Sequence, residues 1–372
     1  MIARIRLFSV LLSLMCSGVC FGDESTDQQD ELADRQCVIV VVGAPGKQEY
    51  AVQLTDWAGR LRDAAEAGDV VFERLGTGAD ASAEQDIAEE TTEDEATADS
   101  DAEASATDLE QLRRLFSRHG SVVTDEPLWL IMLGHGSFDT RNARFNLRGP
   151  DLSAAELAEL TSQVKRPLAV VCSFSCSSPF LNELSAENRI IVTATKDGNQ
   201  VQWNRFGDAF SRAFISEDSD IDRDGQTSLL EAWLYASRRT ADFYATEGRL
   251  ASEHSLLDDN GDGAGSRGES FVGVRPAENL KEPEKLDGRI ARKWHLVRSD
   301  EERRLTPEQR RQRDALELEL EALKAKKSSL EEAAYLDALE AILLQLGEIY
   351  RAADASADEA PATESQPTDR LP

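Results

Sequence analysis

Residues 128–180 decide the fold: LWLIMLGHGSFDTRNARFNLRGPDLSAAELAELTSQVKRPLAVVCSFSCSSPF. The stretch contains two continuous apolar runs, 128–133 and 168–174, and each run stops at Gly or Ser. Apolar runs of this length predict buried strands of a parallel sheet. Ligands of open parallel sheets bind beyond the carboxyl ends of the strands. We therefore expect His135 and Cys176, which follow the two runs, to meet at that edge of the sheet.

Strands and helices alternate on both sides of this stretch. Apolar and β-branched runs predict the strands, and apolar residues at helical spacing predict the helices between them. The alternation predicts one α/β domain over residues 36–245, a three-layer sandwich with a mostly parallel sheet. A small hairpin is expected beside His135, within residues 138–150. The further predicted strands are residues 37–42, 70–75 and 189–195, and the predicted helices are residues 48–66, 109–119, 153–164, 180–184, 206–214 and 229–244.

The N-terminus is typical of a secretory signal peptide. Arg4 and Arg6 form a basic start, residues 7–19 are apolar, and cleavage is expected after residues 1–22. The apolar run is short for a membrane span, so a retained anchor is only the alternative. The mature protein is therefore expected to be exported, periplasmic or secreted, and not held in a membrane.

Three cysteines remain beyond the signal peptide: Cys37, Cys172 and Cys176. An odd number in an exported protein argues against a disulfide framework and indicates at least one free thiol. Cys37 lies at the start of a predicted strand, where a cysteine is usually a small buried core residue. The two cysteines of the central stretch are therefore the ones with potential chemistry.

Charge sets limits on the partners. The chain has 41 basic and 70 acidic residues, a net charge of −29. This balance disfavours nucleic acid and anionic membranes as partners and suits divalent cations.

Residues 76–108 contain almost no apolar side chain, so we expect a disordered acidic insert there. A disordered tail is expected over residues 352–372.

Residues 300–351 have helical periodicity. Thr306, Pro307 and Gln309 form a helix start with a capping box and proline at the first helical position. The leucine stripe that follows changes phase near Lys326, which indicates either a stutter in a long coiled coil or an antiparallel helical hairpin. The expected partner of these helices is a second copy of the chain or another helical protein.

Two acidic loops follow the central stretch. Residues 220–231 match the EF-hand calcium loop, with Gly225 at the sharp turn and Glu231 able to close the site with both oxygens. The alternative is an acidic turn that only caps a helix. Residues 258–269, within the region 246–275, keep the spacing but lead into an extended run, so calcium binding there stays open. The predicted ligands of structural Ca²⁺ are Asp220, Asp222, Asp224, Gln226, Ser228 and Glu231, and in the second loop Asp258, Asn260, Asp262 and Glu269.

The central stretch has the components of a thiol-based hydrolase. A thiol nucleophile needs a base within hydrogen-bond reach and amide donors for the developing oxyanion. His135 lies between two glycines that leave its ring accessible, and Gly136 can offer an amide. Cys176 precedes a short helix, where amides and the helix dipole lower a thiol pKa. His135, Cys176 and Gly136 are therefore the predicted catalytic residues, with Cys172 as the alternative nucleophile.

The stretch 128–214 resembles the caspase-like fold shared by caspases, legumains, gingipains and clostripains. His-Gly after a buried strand and Cys176 after the next strand carry the resemblance, which covers residues 38–239. Residues 220–231 and 256–263 are similar to loops of exported bacterial members of this group. The chain departs from the family pattern in lacking a glycine after Cys176, and exported members often replace the nucleophile. The resemblance implies a peptide or protein substrate, cut by a Cys-His dyad.

Three functions remain in competition. The favoured one is an exported caspase/legumain-like cysteine endopeptidase with calcium at residues 220–231. The second is a catalytically inactive protein of the same fold, a calcium-bound interaction scaffold. The third is a plain calcium-binding structural protein. No catalytic cofactor is expected in any of them.

Overall fold

The computed structural model describes residues 35–76, 106–278, 280–282 and 285–359, the last four without their side chains. The predicted signal peptide, nearly all of the acidic insert and residues 360–372 of the predicted tail lie outside the described residues. No helix within these ranges is long and apolar enough to cross a membrane.

The central sheet has six strands in the order β2-β1-β3-β7-β8-β9. The first five strands in this order run parallel, and β9 pairs antiparallel with β8. The carboxyl ends of β3 and β7 are therefore neighbours at one edge. The strands are β1 Cys37–Val42, β2 Val71–Gly76, β3 Leu128–Gly134, β4 Gly136–Phe138, β5 Ala143–Phe145, β6 Leu152–Ser153, β7 Leu168–Phe174, β8 Arg189–Thr193, β9 Leu256–Asp258, β10 Phe271–Val272 and β11 Arg275–Pro276.

Helices cover both faces of the sheet. Alternate residues of β1 show this: Val38 and Val40 pack into one apolar cluster, and Ile39 and Val41 into the other. Both faces are buried, which explains why the strands read as continuous apolar runs. The predicted three-layer α/β architecture is confirmed. The helices are α1 Gln48–Ala67, α2 Asp108–Leu115, α3 Ala154–Ser162, α4 Ser178–Leu184, α5 Phe206–Ala213, α6 Leu229–Thr246, α7 Asp300–Arg304, α8 Pro307–Ala325 and α9 Glu332–Glu359.

A small antiparallel sheet follows β3 directly. It contains β4, β5 and β6, so the expected hairpin beside His135 has a third strand. Phe145 of β5 is fully buried and packs its ring against Phe174 of β7, with centroids 4.8 Å apart. This contact joins the small sheet to the end of β7, next to the candidate site.

The C-terminal helices form an antiparallel hairpin rather than one long coiled coil. The chain leaves α8 at Ala325 and returns as α9, and Arg304 pairs with Asp354. Helix α9 runs to Glu359, beyond the expected start of the tail at residue 352. The buried carboxylate of Glu126 pairs with Arg298 and Arg310, which ties the hairpin to the α/β domain.

Candidate functional site

The turns that follow β3 and β7 are in direct contact. The two strands pair in parallel with Gly134 opposite Phe174. The amide of Gly136 donates to Ser175 Oγ at 3.1 Å, and Ser175 Oγ donates to the Gly136 carbonyl at 3.1 Å. A Cβ at position 136 would lie 2.2 Å from the Ser175 carbonyl oxygen, so only glycine permits this approach. The contact joins the residues next to His135 and Cys176, whereas the predicted meeting of His135 with Cys176 itself stays a prediction.

The His135 ring is held in one orientation. Its Nε2 lies 3.2 Å from the carbonyl oxygen of Pro45, which can only accept, so Nε2 carries the proton in this contact. The rings of Trp203 and Tyr50 pack against it, with centroids 4.7 and 5.2 Å away. Burial lowers the pKa of His135, and the Pro45 carbonyl opposes that shift. A neutral imidazole with an unprotonated Nδ1 is the form of a general base.

Cys176 occupies a strained turn between β7 and α4. Its φ is 60°, in the left-handed region that non-glycine residues rarely adopt. The amide of Cys176 donates to the carbonyl oxygen of Gln200 at 3.0 Å. Strained backbone of this kind costs about 1–3 kcal/mol and clusters at functional sites. A strained strand-to-helix turn presents the nucleophile in α/β-hydrolases.

The thiol of Cys176 is covered. The residue is only 1% exposed, and burial raises the pKa of the thiol, with the Ser175 hydroxyl opposing and Asp197 adding to the shift. In the described part of the chain, no hydrogen bond joins the thiol to the His135 ring. The structure thus brings the two turns together without assembling the dyad itself.

The other two cysteines are core residues. Cys172 lies inside β7, opposite Met132 and Thr193, and is fully buried. Burial raises its pKa, and raises the pKa of Cys37 to about 12. Both are free thiols. Cys172, the alternative nucleophile, therefore packs inside the strand. Its thiol has no path to a substrate.

The amide of Gly136, predicted as an oxyanion donor, is already engaged by Ser175 Oγ. That role requires the amide to exchange the hydroxyl for a substrate oxygen. Four partners of the site were not predicted from the sequence: Pro45, Ser175, Gln200 and Trp203. They lie on three loops, with Gln200 and Trp203 on the same one, and only the sheet topology brings those loops together. The strongest available signal was Trp203, a large aromatic residue in a polar loop.

The first acidic loop has the arrangement of a cation-binding loop. Ligand oxygens of Asp220, Asp222 and Asp224 lie within 4.8 Å of one another. The backbone turns sharply within this cluster, with positive φ angles of 63° at Arg223 and 88° at Gly225. The two oxygens of Asp220 accept from the amides of Asp224 and Gly225. Three clustered carboxylates with this turn suit calcium.

The other predicted ligands of this loop are Gln226, Ser228 and Glu231. Glu231 accepts from the amides of Ile221 and Asp222 with one oxygen and from Ser228 with the other. Ser228 also caps α6 in a capping box with Glu231. Burial raises the pKa of Glu231. The side-chain oxygen of Gln226 accepts from the amide of Ser299, which leaves its carbonyl for the position that EF-hand loops use.

The second acidic loop is built differently. Asp258 is buried, and its oxygens accept from the amides of Gly261 and Gly263. Asn260 and Asp262 accept amides within the loop. Glu269 lies in the 3-10 turn Gly268–Ser270, where it is exposed. Within the described ranges, only the first loop brings three carboxylates close enough together to share a cation.

Neither a protein-family model nor a curated protein matches the chain. Among solved structures, it is similar to the Drosophila initiator caspase Dronc, with 12% identity over 62% of this chain and 81% of that chain and a TM-score of 0.39. It is also similar to caspase-1 from Spodoptera frugiperda, with 7% identity over 61% of this chain and 87% of that chain and a TM-score of 0.37. Both are caspases, the class of fold that the sequence predicts. Similarity at this level transfers no activity, so the chemistry must come from the chain's own residues.

Proposed function

We propose that the protein is a caspase-like cysteine endopeptidase in which Cys176 is the nucleophile and His135 the general base. The contact between Gly136 and Ser175 is the observation that carries this proposal, since it fixes the turns of both residues at adjacent strand ends. The Pro45 carbonyl supplies the third group that orients a catalytic base. Peptides or proteins are the substrates that this chemistry implies.

The reaction would follow the general scheme of a thiol peptidase. His135 Nδ1 takes the thiol proton, and the Cys176 sulfur attacks the scissile carbonyl to form a tetrahedral intermediate. The amides of Gly136 and Cys176 are the nearest oxyanion donors once Ser175 and the Gln200 carbonyl release them. His135 then gives the proton to the leaving amine, and water releases the acyl group from sulfur. The peptide must therefore open the contacts that cover the thiol.

Peptide hydrolysis by cysteine variants tests the proposal. A quenched fluorescent peptide library with every residue at the cleavage position serves as substrate. We expect Cys176→Ala and His135→Ala each to lower kcat/KM by at least about 10³-fold, as for other nucleophile–base pairs. Cys172→Ala is the matched control, because its thiol is buried in the strand, and it should keep most of the activity. Hydrolysis that survives Cys176→Ala would remove Cys176 as the nucleophile.

A second function is favoured by a specific observation: the thiol is covered and both candidate oxyanion amides are occupied. These contacts suit a catalytically inactive scaffold with the same fold. Labelling with a peptidyl acyloxymethyl ketone separates the two functions. Modification of Cys176, and its loss in His135→Ala, supports the enzyme. A folded protein that this reagent does not label at Cys176 supports the scaffold.

Structural calcium at residues 220–231 and export through residues 1–22 belong to the same proposal. The cluster of Asp220, Asp222 and Asp224 supports the metal site, with Glu231, Ser228 and the Gln226 carbonyl as the further ligands. The ion would hold the loop and the start of α6, away from the chemical step. Fusion of residues 1–22 to a reporter that is active only after export tests the signal peptide, and an Arg4→Glu/Arg6→Glu variant is the control.

A further inference from the structure

A cavity of about 480 Å³ lies between α6, the start of α5 and the segment 249–255. Its volume falls within the range of small-molecule sites. The walls are mainly apolar, with the rings of Phe206, Tyr244 and Phe271 among them. None of the residues assigned to the proposed dyad or to the first acidic loop lines it. The function proposed above therefore leaves this cavity without a role.

One wall of the cavity carries a polar group that lacks a partner. The Thr240 side chain is 7% exposed, and its hydroxyl oxygen makes no hydrogen bond. Buried polar groups are nearly always satisfied, and an unsatisfied one costs about 1–3 kcal/mol. The oxygen itself has almost no accessible surface, so a ligand in the cavity can supply the missing hydrogen bond only when the Thr240 side chain rotates about χ1.

The charge around the cavity favours an anion. Arg238 and Arg249 line it, and neither belongs to an ion pair among the described residues. The buried carboxylate of Glu253 is fully engaged, by the amides of Arg205 and Phe206 and by the Tyr244 hydroxyl. Glu269 is the remaining acid on the wall. Two arginines outside ion pairs, in a chain of net charge −29, match a ligand with a carboxylate.

The cavity is connected to the candidate nucleophile through two residues. His254 lines the cavity, and its Nδ1 accepts from Gln200 Nε2 at 2.7 Å. The Gln200 side-chain oxygen accepts from the amide of Lys196 at 2.8 Å, which fixes the amide group in this orientation. The backbone carbonyl of Gln200 holds the Cys176 amide at 3.0 Å. Gln200 thus contacts the cavity wall with its side chain and the nucleophile with its backbone.

We propose that this cavity binds a small carboxylate with an aromatic or branched apolar body, and that the bound ligand keeps Cys176 in the covered state. The apolar body fills the space between Phe206, Tyr244 and Phe271. The carboxylate accepts from the Thr240 hydroxyl and meets Arg249. The regulatory half rests on the proposed role of Cys176, whereas the binding half does not.

The direction of regulation follows from linkage. The cavity is formed in the same arrangement in which Gln200 bridges His254 and Cys176. A ligand that binds more tightly while His254 is held by Gln200 stabilises this arrangement relative to a form in which the bridge is broken. Bound ligand is therefore expected to slow reactions of the Cys176 thiol, which makes the cavity an inhibitory site.

Binding of 3-phenylpropionate to the full chain tests the first half, by isothermal titration calorimetry. We expect saturable binding with a Kd of about 1 mM or tighter, and weaker binding of 3-phenyl-1-propanol, which lacks the carboxylate. Thr240→Val and Arg249→Gln should each weaken binding about three- to ten-fold. Ala241→Trp places an indole in the cavity and should abolish binding. Asp242→Trp, on the same helix outside the cavity, is the matched control and should bind normally.

The rate of Cys176 alkylation by iodoacetamide tests the second half, with the modified cysteine identified by peptide mass spectrometry. Saturating 3-phenylpropionate should slow alkylation at least about three-fold in the wild-type chain. Gln200→Ala should react faster without ligand, and the ligand should not slow it although it still binds. An unchanged or faster wild-type rate with bound ligand overturns the regulatory half.

The two readouts separate this proposal from the peptidase. Equal binding by the wild-type chain and Ala241→Trp, or no saturable binding at all, overturns the cavity as a ligand site. Neither calorimetry nor alkylation requires peptide hydrolysis. If the chain hydrolyses no peptide, yet binds the carboxylate and then reacts more slowly at Cys176, the proposed peptidase function is wrong and the proposed ligand site stands.

Discussion

The two acidic loops have the same spacing of predicted ligands and different surroundings, and position three is Asp222 in the first loop and Asn260 in the second. In residues 220–231 the carboxylates of positions one, three and five face one another, and two of the three are exposed. In residues 258–269 the first carboxylate, Asp258, is buried and binds backbone amides. Asp259 and Asp287, outside the ligand positions, are buried beside it. In both loops the first carboxylate accepts backbone amides, but the first loop holds three carboxylates together with two of them exposed, whereas the second loop buries its first carboxylate.

This difference teaches that the spacing of predicted ligands alone does not fix how their side chains are arranged in space. Ser266, at a ligand position of the second loop, donates its hydroxyl to Asp287 instead. The twelfth residue is Glu in both loops but lies in different surroundings: Glu231 is in the first turn of the long helix α6, whereas Glu269 borders the cavity. The element that follows each loop determines whether the carboxylate at position twelve can reach the other predicted ligands of that loop. Three measurements can break or sharpen the contrast.

The largest effect is expected from Asp259→Ala in the second loop. The Asp259 carboxylate accepts from the amides of Ile290 and Ala291, and also bonds the Gly288 amide. Loss of this acceptor should lower the free energy of unfolding by about 4 kcal/mol, at roughly 1–1.5 kcal/mol for each amide. Urea denaturation measures the change. Asp262→Ala, exposed in the same loop, is the control and should cost less than about 1 kcal/mol.

If Asp259→Ala costs no more than this control, the second loop does not organise the backbone around it. The contrast between the loops would then reduce to the clustering of the first one.

A smaller effect is expected from pH. Burial raises the pKa of Asp287 from 3.8 to about 6, with Asp259 and Asp258 adding to the shift. The folded state therefore binds a proton more tightly than the unfolded state. The stabilising contribution is complete below about pH 4 and is lost as the pH rises through 6, by about 3 kcal/mol in all at 1.36 kcal/mol per pKa unit.

Unfolding of the wild-type chain and of Asp287→Asn at pH 3 and pH 7, in calcium-free buffer, measures this contribution. Between these two pH values, the free energy of unfolding of the wild-type chain should fall by about 3 kcal/mol more than that of the variant. Parallel pH profiles of the two proteins would show that Asp287 titrates at an ordinary pKa. Ionisation of Asp287, which is buried beside the second loop, would then not lower the free energy of unfolding.

The strands could be predicted from the sequence because burial on both faces leaves a simple pattern. The runs in β1, β3 and β7 are apolar at nearly every position, and their bounds follow from that. The end of α9 could not be predicted, since residues after Arg351 carry few apolar side chains. The choice between hairpin and coiled coil also depended on contacts, such as Arg304 with Asp354, that the sequence separates widely.

The candidate site was predictable only in part. His135 and Cys176 could be placed at one edge because parallel strands end together. The turn that holds Cys176 is bound by Gln200, whose backbone carbonyl accepts from the Cys176 amide and carries no sequence signal. The same holds for Pro45, which orients His135 through its carbonyl. Side-chain patterns identify the reactive groups of a site, whereas the backbone groups that orient or cover them appear only in the fold.

The smallest of the three effects is expected from calcium. At a free concentration of 100 times Kd, calcium should raise the free energy of unfolding by about 2.7 kcal/mol relative to excess EGTA. Asp222→Ala should abolish the gain. Its carboxylate makes no hydrogen bond among the described residues, and its charge helps to raise the pKa of Asp224 and of Glu231, so removing it should not weaken the calcium-free fold. Asp262→Ala should keep the gain. If Asp262→Ala loses as much of the calcium-dependent gain as Asp222→Ala, both loops bind calcium. If EGTA does not change the free energy of unfolding of the wild-type chain, neither loop binds calcium.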